Sequence, residues 1–326
     1  MTPNAPVACR LFGMHVLTHI PPHFVHRGHG PIALEITPAE REPDTAAFGP
    51  PAFSVHMRHP DGDGEYEVWP RGTTLVLKVS PIAVFSCMPG RLEYQRFAEA
   101  PDEALQWQIF GLVLSAWSEW AGRPVLHAAA VEVGGSAVGF LGRAGIGKSS
   151  LTLEFLKNGH RILGDDQMIL LGTPEGVSVL PAIPWLKLAP DVVMQSGFDP
   201  ALLPRIHPAS DKSRLDVKEG QWADGPVPLG PIYLVERGWH QPEVVIEPIA
   251  PSESLFELIR HSYVPRTVAA SGLAGTRLSL VADAVRQGGV WRLRYPDGFE
   301  WLAKVRSAVE RHQAERLSES RARSLR

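Results

Sequence analysis

The chain has 326 residues, of which 44% are hydrophobic and 21% are charged, and its formal net charge is −3 at pH 7. That length suits one large domain or two medium ones, each with its own core. The charge gives no electrostatic signature of nucleic-acid binding, and no stretch approaches the roughly 18 consecutive apolar residues of a membrane span. The first residues lack the pattern of a signal peptide, and the two cysteines show no disulfide or metal-ligand spacing. We therefore expect a cytoplasmic protein with no nucleic-acid or membrane partner.

The first hundred residues are predicted to form a β-rich N-terminal lobe. Short strand-like segments, such as 31–36 and 72–79, alternate with turns rich in proline and glycine. The same region contains a group of histidines: His15, His19, His23, His26 and His29. No cysteine or acidic residue lies among them and prolines break any shared helix face, so we expect surface or structural histidines rather than a metal site.

A connecting helix is predicted next. Apolar residues from Leu105 to Trp120 recur about every 3.6 positions, which is the spacing of a packed helix. The predicted organisation is a β-rich domain at 1–100, the connecting helix at 101–123 and a nucleotide-binding domain at 124–326.

The nucleotide-binding domain is organised around Gly142-Arg-Ala-Gly-Ile-Gly-Lys-Ser149, which fits the pattern G-x-x-x-x-G-K-[S/T]. We call these residues the phosphate loop. Glycines let the backbone wrap around a polyphosphate, Lys148 can reach the β- and γ-phosphates, and the Ser149 hydroxyl can hold Mg²⁺. A helix that begins at the lysine adds its N-terminal partial positive charge. The predicted nucleotide-binding residues are Gly142, Arg143, Ala144, Gly145, Ile146, Gly147, Lys148, Ser149 and Ser150.

The segments around the phosphate loop predict an α/β fold. A strand at 125–133 turns at Gly134-Gly135 into a strand at 137–141, the loop and helix follow, and a further strand occupies 160–166. Strand, loop, helix and strand together make a minimal phosphate-binding unit of the βαβ type.

Two adjacent carboxylates, Asp165 and Asp166, end the strand after this helix, and Asp165 comes 17 residues after Lys148. This position puts both beside the phosphate loop. One can hold Mg²⁺ while the other accepts a proton from a substrate hydroxyl. Adjacent carboxylates raise each other's proton affinity, which suits one of them to act as a base.

His127 and several cations have more than one interpretation. His127 lies in an otherwise apolar strand, where it can face the site, orient an aspartate or serve the core. The basic residues Lys187, Arg205, Lys212 and Arg214 can bind phosphate or an acidic substrate, or be solvated surface charges. Their roles stay open.

These motifs together resemble the core of HPr kinase/phosphorylase-type serine kinases. The shared pattern is G-x-[SA]-G-I-G-K-S, then a helix that ends in Asn158-Gly-His160, then the double aspartate. Upstream, Leu126-His-Ala-Ala-Ala-Val131 carries a histidine one strand before the loop, as that family does. The resemblance covers residues 125–171.

The resemblance implies an HPr-kinase-like nucleotide-binding core that uses ATP and Mg²⁺. Lys148 and Ser149 would then serve phosphate and Mg²⁺, and Asp165 would be the base toward a serine hydroxyl. Asp166 would assist with the metal, and His127 would support the active site.

The chain also departs from the bifunctional HPr enzymes. Ser150 stands where they usually have glutamate, and nothing resembles their P-G-R-N segment tied to phosphorolysis. The segments 184–190, 211–215 and 228–235 instead resemble HPr-kinase-like proteins of peptide-modification clusters, including lasso-peptide precursor kinases.

The sequence therefore predicts a kinase that phosphorylates a serine on a peptide or small protein. Two other readings stay open: a nucleotide-dependent peptide-binding sensor or scaffold, and a small-molecule kinase. The identity of the phosphate acceptor, the choice of ATP over another donor and the formation of a homo-oligomer also stay open.

Overall fold

The computed structural model describes residues 5–20, 30–41, 43–57, 63–207, 210–240 and 242–324. His23, His26 and His29 lie outside them. The chain divides into two compact units. The first comprises Met1–Val125, Arg205–Asp211 and Val264–Arg277, and the second comprises Leu126–Pro204, Lys212–Tyr263 and Leu278–Arg326. Two segments from the predicted nucleotide-binding domain thus group with the first unit, and the division at residues 100 and 123 stays a prediction.

In chain order the strands are β1 (Val7–Leu11), β2 (Met14–Thr18), β3 (Leu34–Pro38), β4 (Phe53–Met57), β5 (Gly64–Arg71), β6 (Thr74–Val79), β7 (Ala83–Met88), β8 (Arg91–Arg96), β9 (Val125–Leu126), β10 (Ala128–Val133), β11 (Ser136–Leu141), β12 (Ile162–Gly164), β13 (Met168–Thr173), β14 (Gly176–Leu180), β15 (Trp185–Leu188), β16 (Ser213–Asp216), β17 (Val227–Arg237), β18 (Val245–Pro248) and β19 (Val290–Tyr295). The α-helices are α1 (Asp102–Gln108), α2 (Leu114–Trp120), α3 (Lys148–Lys157), α4 (Pro190–Gln195), α5 (Pro251–Arg260), α6 (Pro265–Ser271), α7 (Ala274–Gly288) and α8 (Leu302–Ser324). Among the described residues, no helix has both the length and the apolar character needed to cross a bilayer.

The first unit contains an eight-stranded sheet in the order β1-β2-β3-β8-β7-β6-β5-β4. Strands β2 and β3 alternate buried and partly exposed residues; in β2, Met14, Val16 and Thr18 are buried. This alternation is the period of a half-buried sheet. The strands predicted over 31–36 and 72–79 correspond to β3 and β6.

The predicted connecting helix is interrupted. A π-helical turn at Ile109–Val113 separates α1 from α2. The Ser115 hydroxyl donates a hydrogen bond to the carbonyl of Gly111 within this turn, at 2.8 Å. Apolar spacing predicts the buried face of a helix, but not a single widened turn, because one extra residue shifts the face only locally.

A nine-stranded sheet positions the phosphate loop. Its main order is β12-β10-β11-β17-β14-β13-β9, and β19 pairs with β17 and β18. Strand β17 pairs in parallel with β11 on one side and with β19 on the other. The carboxyl ends of the three strands therefore lie at one edge of the sheet. In open sheets with parallel strands, ligands bind at that edge. The mixed α/β class predicted from the sequence is confirmed.

Helix α3 packs on this sheet through aromatic side chains. Phe140 of β11 lies between Phe155 of α3 and Tyr233 of β17, with ring centroids 5.4 Å and 6.1 Å apart. All three are fully buried, and each such side chain contributes about 1.5–3 kcal/mol through burial. This packing holds α3, which follows the phosphate loop, against the sheet.

Candidate active site

The phosphate loop leaves β11 and enters α3 at Lys148, as the sequence predicts. Gly147 is the N-cap of α3, with φ = 107° and no side chain to cap the helix. Any other residue would be strained at this φ. The backbone N–H groups of the first turn are therefore directed at a potential anion.

Two cavities adjoin the phosphate loop. The first, of about 280 Å³, is lined by the predicted residues Ala144, Gly145, Gly147, Lys148, Ser149 and Ser150, and by His127, Asp166, Lys187, Ala189, Asp191, Val192, Lys212 and Arg237. We call it the phosphate cavity. The second, of about 340 Å³, is lined among others by Gly142, Arg143 and Ile146. All nine predicted nucleotide-binding residues thus line one of the two.

Lys148 lies over its own loop. Its Nζ donates hydrogen bonds to the carbonyl of Gly142 at 2.8 Å and to that of Arg143 at 3.3 Å. Burial lowers the pKa of Lys148, and the nearby charges of Asp166 and Asp165 oppose that effect. A partly desolvated ammonium in this position interacts more strongly with phosphate than one in water does.

Asp165 is held on both carboxylate oxygens. The Ser149 hydroxyl donates to Oδ1 at 2.9 Å, and the backbone N–H of Lys187 donates to Oδ2 at 2.8 Å. The residue is only 4% exposed. Burial, and then the charge of Asp166, raise the pKa of Asp165. The two hydrogen bonds fix Asp165 beside the Ser149 hydroxyl.

Asp166 differs from Asp165 in its exposure, its partners and the direction of its pKa shift. Its side chain is 22% exposed and lines the phosphate cavity. Its Oδ2 lies 3.2 Å from Lys187 Nζ, and its Oδ1 lies 3.5 Å from His127 Nε2. Burial alone would raise the pKa of Asp166, but Lys187 and then His127 outweigh it and hold the pKa below the ordinary range.

The backbone of Asp166 is also unusual. Its φ of 68° lies in the left-handed region, which only one other non-glycine residue in the described part of the chain adopts. Such a conformation costs of order 1–3 kcal/mol and persists where its surroundings enforce it. The enforced turn directs the carboxylate of Asp166 into the cavity.

His127 faces this carboxylate because its strand is broken. The predicted strand over 125–133 is two strands, β9 and β10, with His127 between them. The backbone N–H of His127 donates to the carbonyl of His261 at 2.7 Å. Tyr263 packs edge-on against the imidazole, with ring centroids 6.0 Å apart. No sequence pattern identifies Tyr263, because it lies far from His127 along the chain.

The predicted cations separate into two groups. Lys187, on β15, is partly buried, and both it and Lys212 line the phosphate cavity. Arg214 instead pairs with Asp216, through Nε and Oδ1 at 2.9 Å, and Arg205 belongs to the first unit. Sequence reasoning also missed Arg237, at the end of β17, which lines both cavities.

The oxygens of Ser149 and Asp165 fit a magnesium ion. They are hard donors 2.9 Å apart, and Mg²⁺ in nucleotide sites uses one or two protein oxygens together with phosphates and water. Within the described ranges, no three His, Cys, Asp or Glu side chains cluster as a complete metal site. The two oxygens of Ser149 and Asp165 suit a metal that arrives with a polyphosphate.

Part of the chain is similar in sequence to known proteins. No protein-family model matches the chain. The HPr kinase/phosphorylase of Exiguobacterium sibiricum is 36% identical over 62 residues, which are 19% of this chain and 20% of that protein. That of Streptococcus thermophilus is 39% identical over 59 residues, 18% and 19% of the two chains. That of Mycoplasma mycoides is 46% identical over 44 residues, 14% of each.

The chain thus spans about a fifth, or less, of the length of the curated relatives it matches. Over that segment it is HPr-kinase-like, which confirms the resemblance recognised in the sequence. The solved Hpr(Ser) kinase/phosphatase of Coxiella burnetii is also similar, with a TM-score of 0.36 and 13% identity over 62% of this chain and 97% of that one. A TM-score this low supports no further conclusion.

Proposed function

We propose that the chain is an ATP- and Mg²⁺-dependent kinase that transfers the γ-phosphate to a serine hydroxyl of a peptide or small protein. One observation carries this proposal: the phosphate loop, the Ser149–Asp165 hydrogen bond and the carboxylate of Asp166 meet at one cavity. A nucleotide-binding scaffold needs the first of these features, but it does not need a strained carboxylate directed at the phosphate cavity. The names of the relatives, HPr kinase/phosphorylases, support the same reaction class.

The geometry favours different roles for the two aspartates. Asp165 would hold Mg²⁺ together with Ser149, because its Oδ1 accepts from that hydroxyl while the N–H of Lys187 holds its Oδ2. When bound, Mg²⁺ supplies charge neutralisation at the phosphates. Asp166 would accept the hydrogen bond of the acceptor hydroxyl, because it lines the cavity. This exchanges the roles that the resemblance implied, so Asp165 as the base stays a competing prediction.

A carboxylate with a lowered pKa is suited to this task. Phosphoryl transfer passes through a loose transition state, so catalysis depends on positioning and charge more than on a strong base. Asp166 stays ionised at neutral pH, and Lys187 and His127 fix its direction. Lys148 would neutralise charge on the transferred phosphate.

We propose more specifically that the acceptor is a precursor of a ribosomally made peptide, such as a lasso peptide. The resemblance of the segments 184–190, 211–215 and 228–235 to kinases of peptide-modification clusters supports this choice. The reaction would take place in the cytoplasm, where ATP is available.

Mass spectrometry tests the proposed reaction. The protein is incubated with Mg·ATP and serine-containing precursor peptides, and the expected product is heavier by about 80 Da, the mass of one phosphoryl group. Replacement of the acceptor serine by alanine, and Lys148→Ala in the protein, should each abolish the product. Tight nucleotide binding without any phosphorylated peptide would instead favour a sensor or scaffold.

A further inference from the structure

The carboxyl ends of the parallel strands β17 and β19 lie next to the phosphate loop. Arg237 and Tyr295 are register partners at the carboxyl ends of these strands. Both approach the same glycine of the loop. A Cβ atom on Gly147 would lie 3.4 Å from Tyr295 Oη and 3.7 Å from Arg237 Nη1. Two polar groups therefore meet at the N-cap of α3, where a helix attracts an anion.

Tyr295 carries a buried hydroxyl with no hydrogen-bond partner. Its side chain is fully buried, and Oη has no partner among the described residues. Burial raises the pKa of Tyr295 to about 12, so the hydroxyl keeps its proton and remains a donor. A buried hydroxyl without a partner costs free energy, so this donor is available to a ligand that enters beside Gly147.

Arg237 pairs with an acidic residue. Its Nε lies 2.8 Å from Asp297 Oδ1. This exposed pair uses Nε, and the terminal nitrogens of a planar guanidinium have a geometry suited to phosphate. Nη1 is the nitrogen that approaches Gly147.

A narrow cleft connects these groups to the start of α3. It is lined by Gly147, Ser150, Arg237, Tyr295, Gly298, Phe299 and Leu302. Gly147 belongs to the phosphate loop, whose N–H groups are of the kind that cradle the α- and β-phosphates, and Ser150 lies in the first turn of α3. The acceptor-side carboxylate, Asp166, does not line this cleft.

We propose that Arg237 and Tyr295 bind the α- and β-phosphates of the nucleotide. The inference rests on the proposed nucleotide binding, but not on the identity of the acceptor. The site then has donors on two sides: Lys148 contacts the transferred phosphate, and Arg237 and Tyr295 contact the part of the nucleotide that remains as ADP.

Isothermal titration with Mg·ATP and Mg·ADP tests this assignment on the full chain. Arg237→Gln should weaken the binding of both nucleotides by a similar factor, about 10- to 100-fold. The variant loses a charge-assisted hydrogen bond to the α- and β-phosphates, which ATP and ADP share. Arg294→Gln is the matched control: it removes one arginine charge from β19, at a residue that pairs with Glu236 and Glu247. It should leave both affinities unchanged.

Tyr295→Phe separates a ligand contact from a structural one. Removal of the hydroxyl should weaken the binding of ATP and of ADP about 3- to 10-fold. The melting temperature without nucleotide should stay the same or rise, because an unsatisfied buried group has been removed. A structural hydroxyl would give the opposite pattern, with a lower melting temperature and unchanged affinity, and would overturn the assignment.

Two further results would contradict the proposal. Unchanged ATP and ADP affinity in Arg237→Gln would remove Arg237 from the site. Weaker ATP binding with unchanged ADP binding would place the contact on the γ-phosphate instead. Neither result depends on phosphotransfer. If the wild-type protein binds nucleotide but phosphorylates no peptide, the kinase proposal fails while this one is still tested.

Discussion

Each unit of the chain contains a cluster of opposite charges; the one in the first unit is buried, and the one in the second is partly exposed at a cavity. In the first unit, Arg277 Nε lies 3.2 Å from Glu119 Oε2, and the N–H of Val125 donates to Glu119 Oε1 at 2.8 Å. Glu119 and Arg277 both lie within regular helices, α2 and α7. In the second unit, Lys187 pairs with Asp166, which has a left-handed backbone and lines a cavity.

The comparison shows that a buried charge alone does not indicate a functional site. Burial raises the pKa of Glu119 while Arg277 opposes the increase, so its pKa is perturbed as that of a catalytic group would be. What distinguishes Asp166 is the combination of backbone strain, an open cavity and a neighbouring phosphate loop. We therefore expect substitutions in the first cluster to change stability, and substitutions in the second to change phosphotransfer.

The largest effect is expected for Asp166→Asn. The amide keeps the size of the side chain. It cannot take up the proton of the substrate hydroxyl, and it has no negative charge to pair with Lys187. Phosphotransfer should fall by at least about 10³-fold, the scale of losing a group that acts on the transition state. The rate is measured with saturating peptide and Mg·ATP. Thermal unfolding serves as the control and should show a folded protein; near-normal turnover in this variant would contradict the role of Asp166.

Arg277→Met breaks the cluster in the first unit. It leaves Glu119 buried and unpaired, which should lower the free energy of unfolding by about 3–5 kcal/mol. Without Arg277, the pKa of Glu119 rises further above its ordinary value of 4.5. The folded carboxyl then holds its proton to a higher pH than the unfolded one, so stability is lost as pH rises through the folded pKa.

Urea unfolding of wild type and Arg277→Met at pH 5 and pH 8 measures this effect. The loss of unfolding free energy should be greater at pH 8. At that pH the unfolded carboxyl is ionised, whereas the buried one must either carry an unpaired charge or keep its proton. An equal loss at both pH values would show that Glu119 does not titrate in the folded variant. Arg286→Gln, which removes an exposed arginine from the same helix, is the matched control and should change stability little.

Lys187→Met removes the cation closest to Asp166. The methionine side chain fills similar space without charge, so Asp166 loses its main orienting partner. We expect about a 10²-fold lower turnover, less than for Asp166→Asn, because His127 still contacts the carboxylate. Steady-state kinetics with the precursor peptide provide the measurement. Turnover equal to that of wild type would mean that Lys187 is only structural.

His127→Gln is expected to have the smallest effect in the site. The contact of His127 with Asp166 is longer, at 3.5 Å, than that of Lys187. Turnover should fall by about 10-fold, the scale of one hydrogen bond to a charged group. A loss as large as that of Asp166→Asn would give His127 a direct part in proton transfer.

Local patterns predicted much of the second unit. The phosphate loop, the start of α3 at Lys148 and the strand before the double aspartate follow from spacing along the chain, because each depends on near neighbours. The break at His127 did not follow, since it depends on a backbone hydrogen bond to His261, more than a hundred residues away. Likewise, apolar spacing did not predict the π-helical turn between α1 and α2.

The site could be predicted in its residue types but not in its pairings. Sequence adjacency treats Asp165 and Asp166 as equivalent, whereas a left-handed turn directs one toward Ser149 and the other into the cavity. Lys187 was one of four candidate cations, and only tertiary contacts distinguish it from Arg214. Tyr295 and Arg237 carry no motif, because strand pairing alone brings them to the loop.

The division of labour between the two aspartates is tested most directly by a Mg²⁺ titration of ATP binding. Wild type, Asp165→Asn and Asp166→Asn are compared by calorimetry at increasing Mg²⁺ concentration, with phosphotransfer measured in parallel. We predict that Asp165→Asn binds ATP with little or no dependence on Mg²⁺, that Asp166→Asn keeps the wild-type dependence, and that both lose phosphotransfer. The reverse pattern, with the Mg²⁺ dependence lost only in Asp166→Asn, would contradict this account and restore Asp165 as the base.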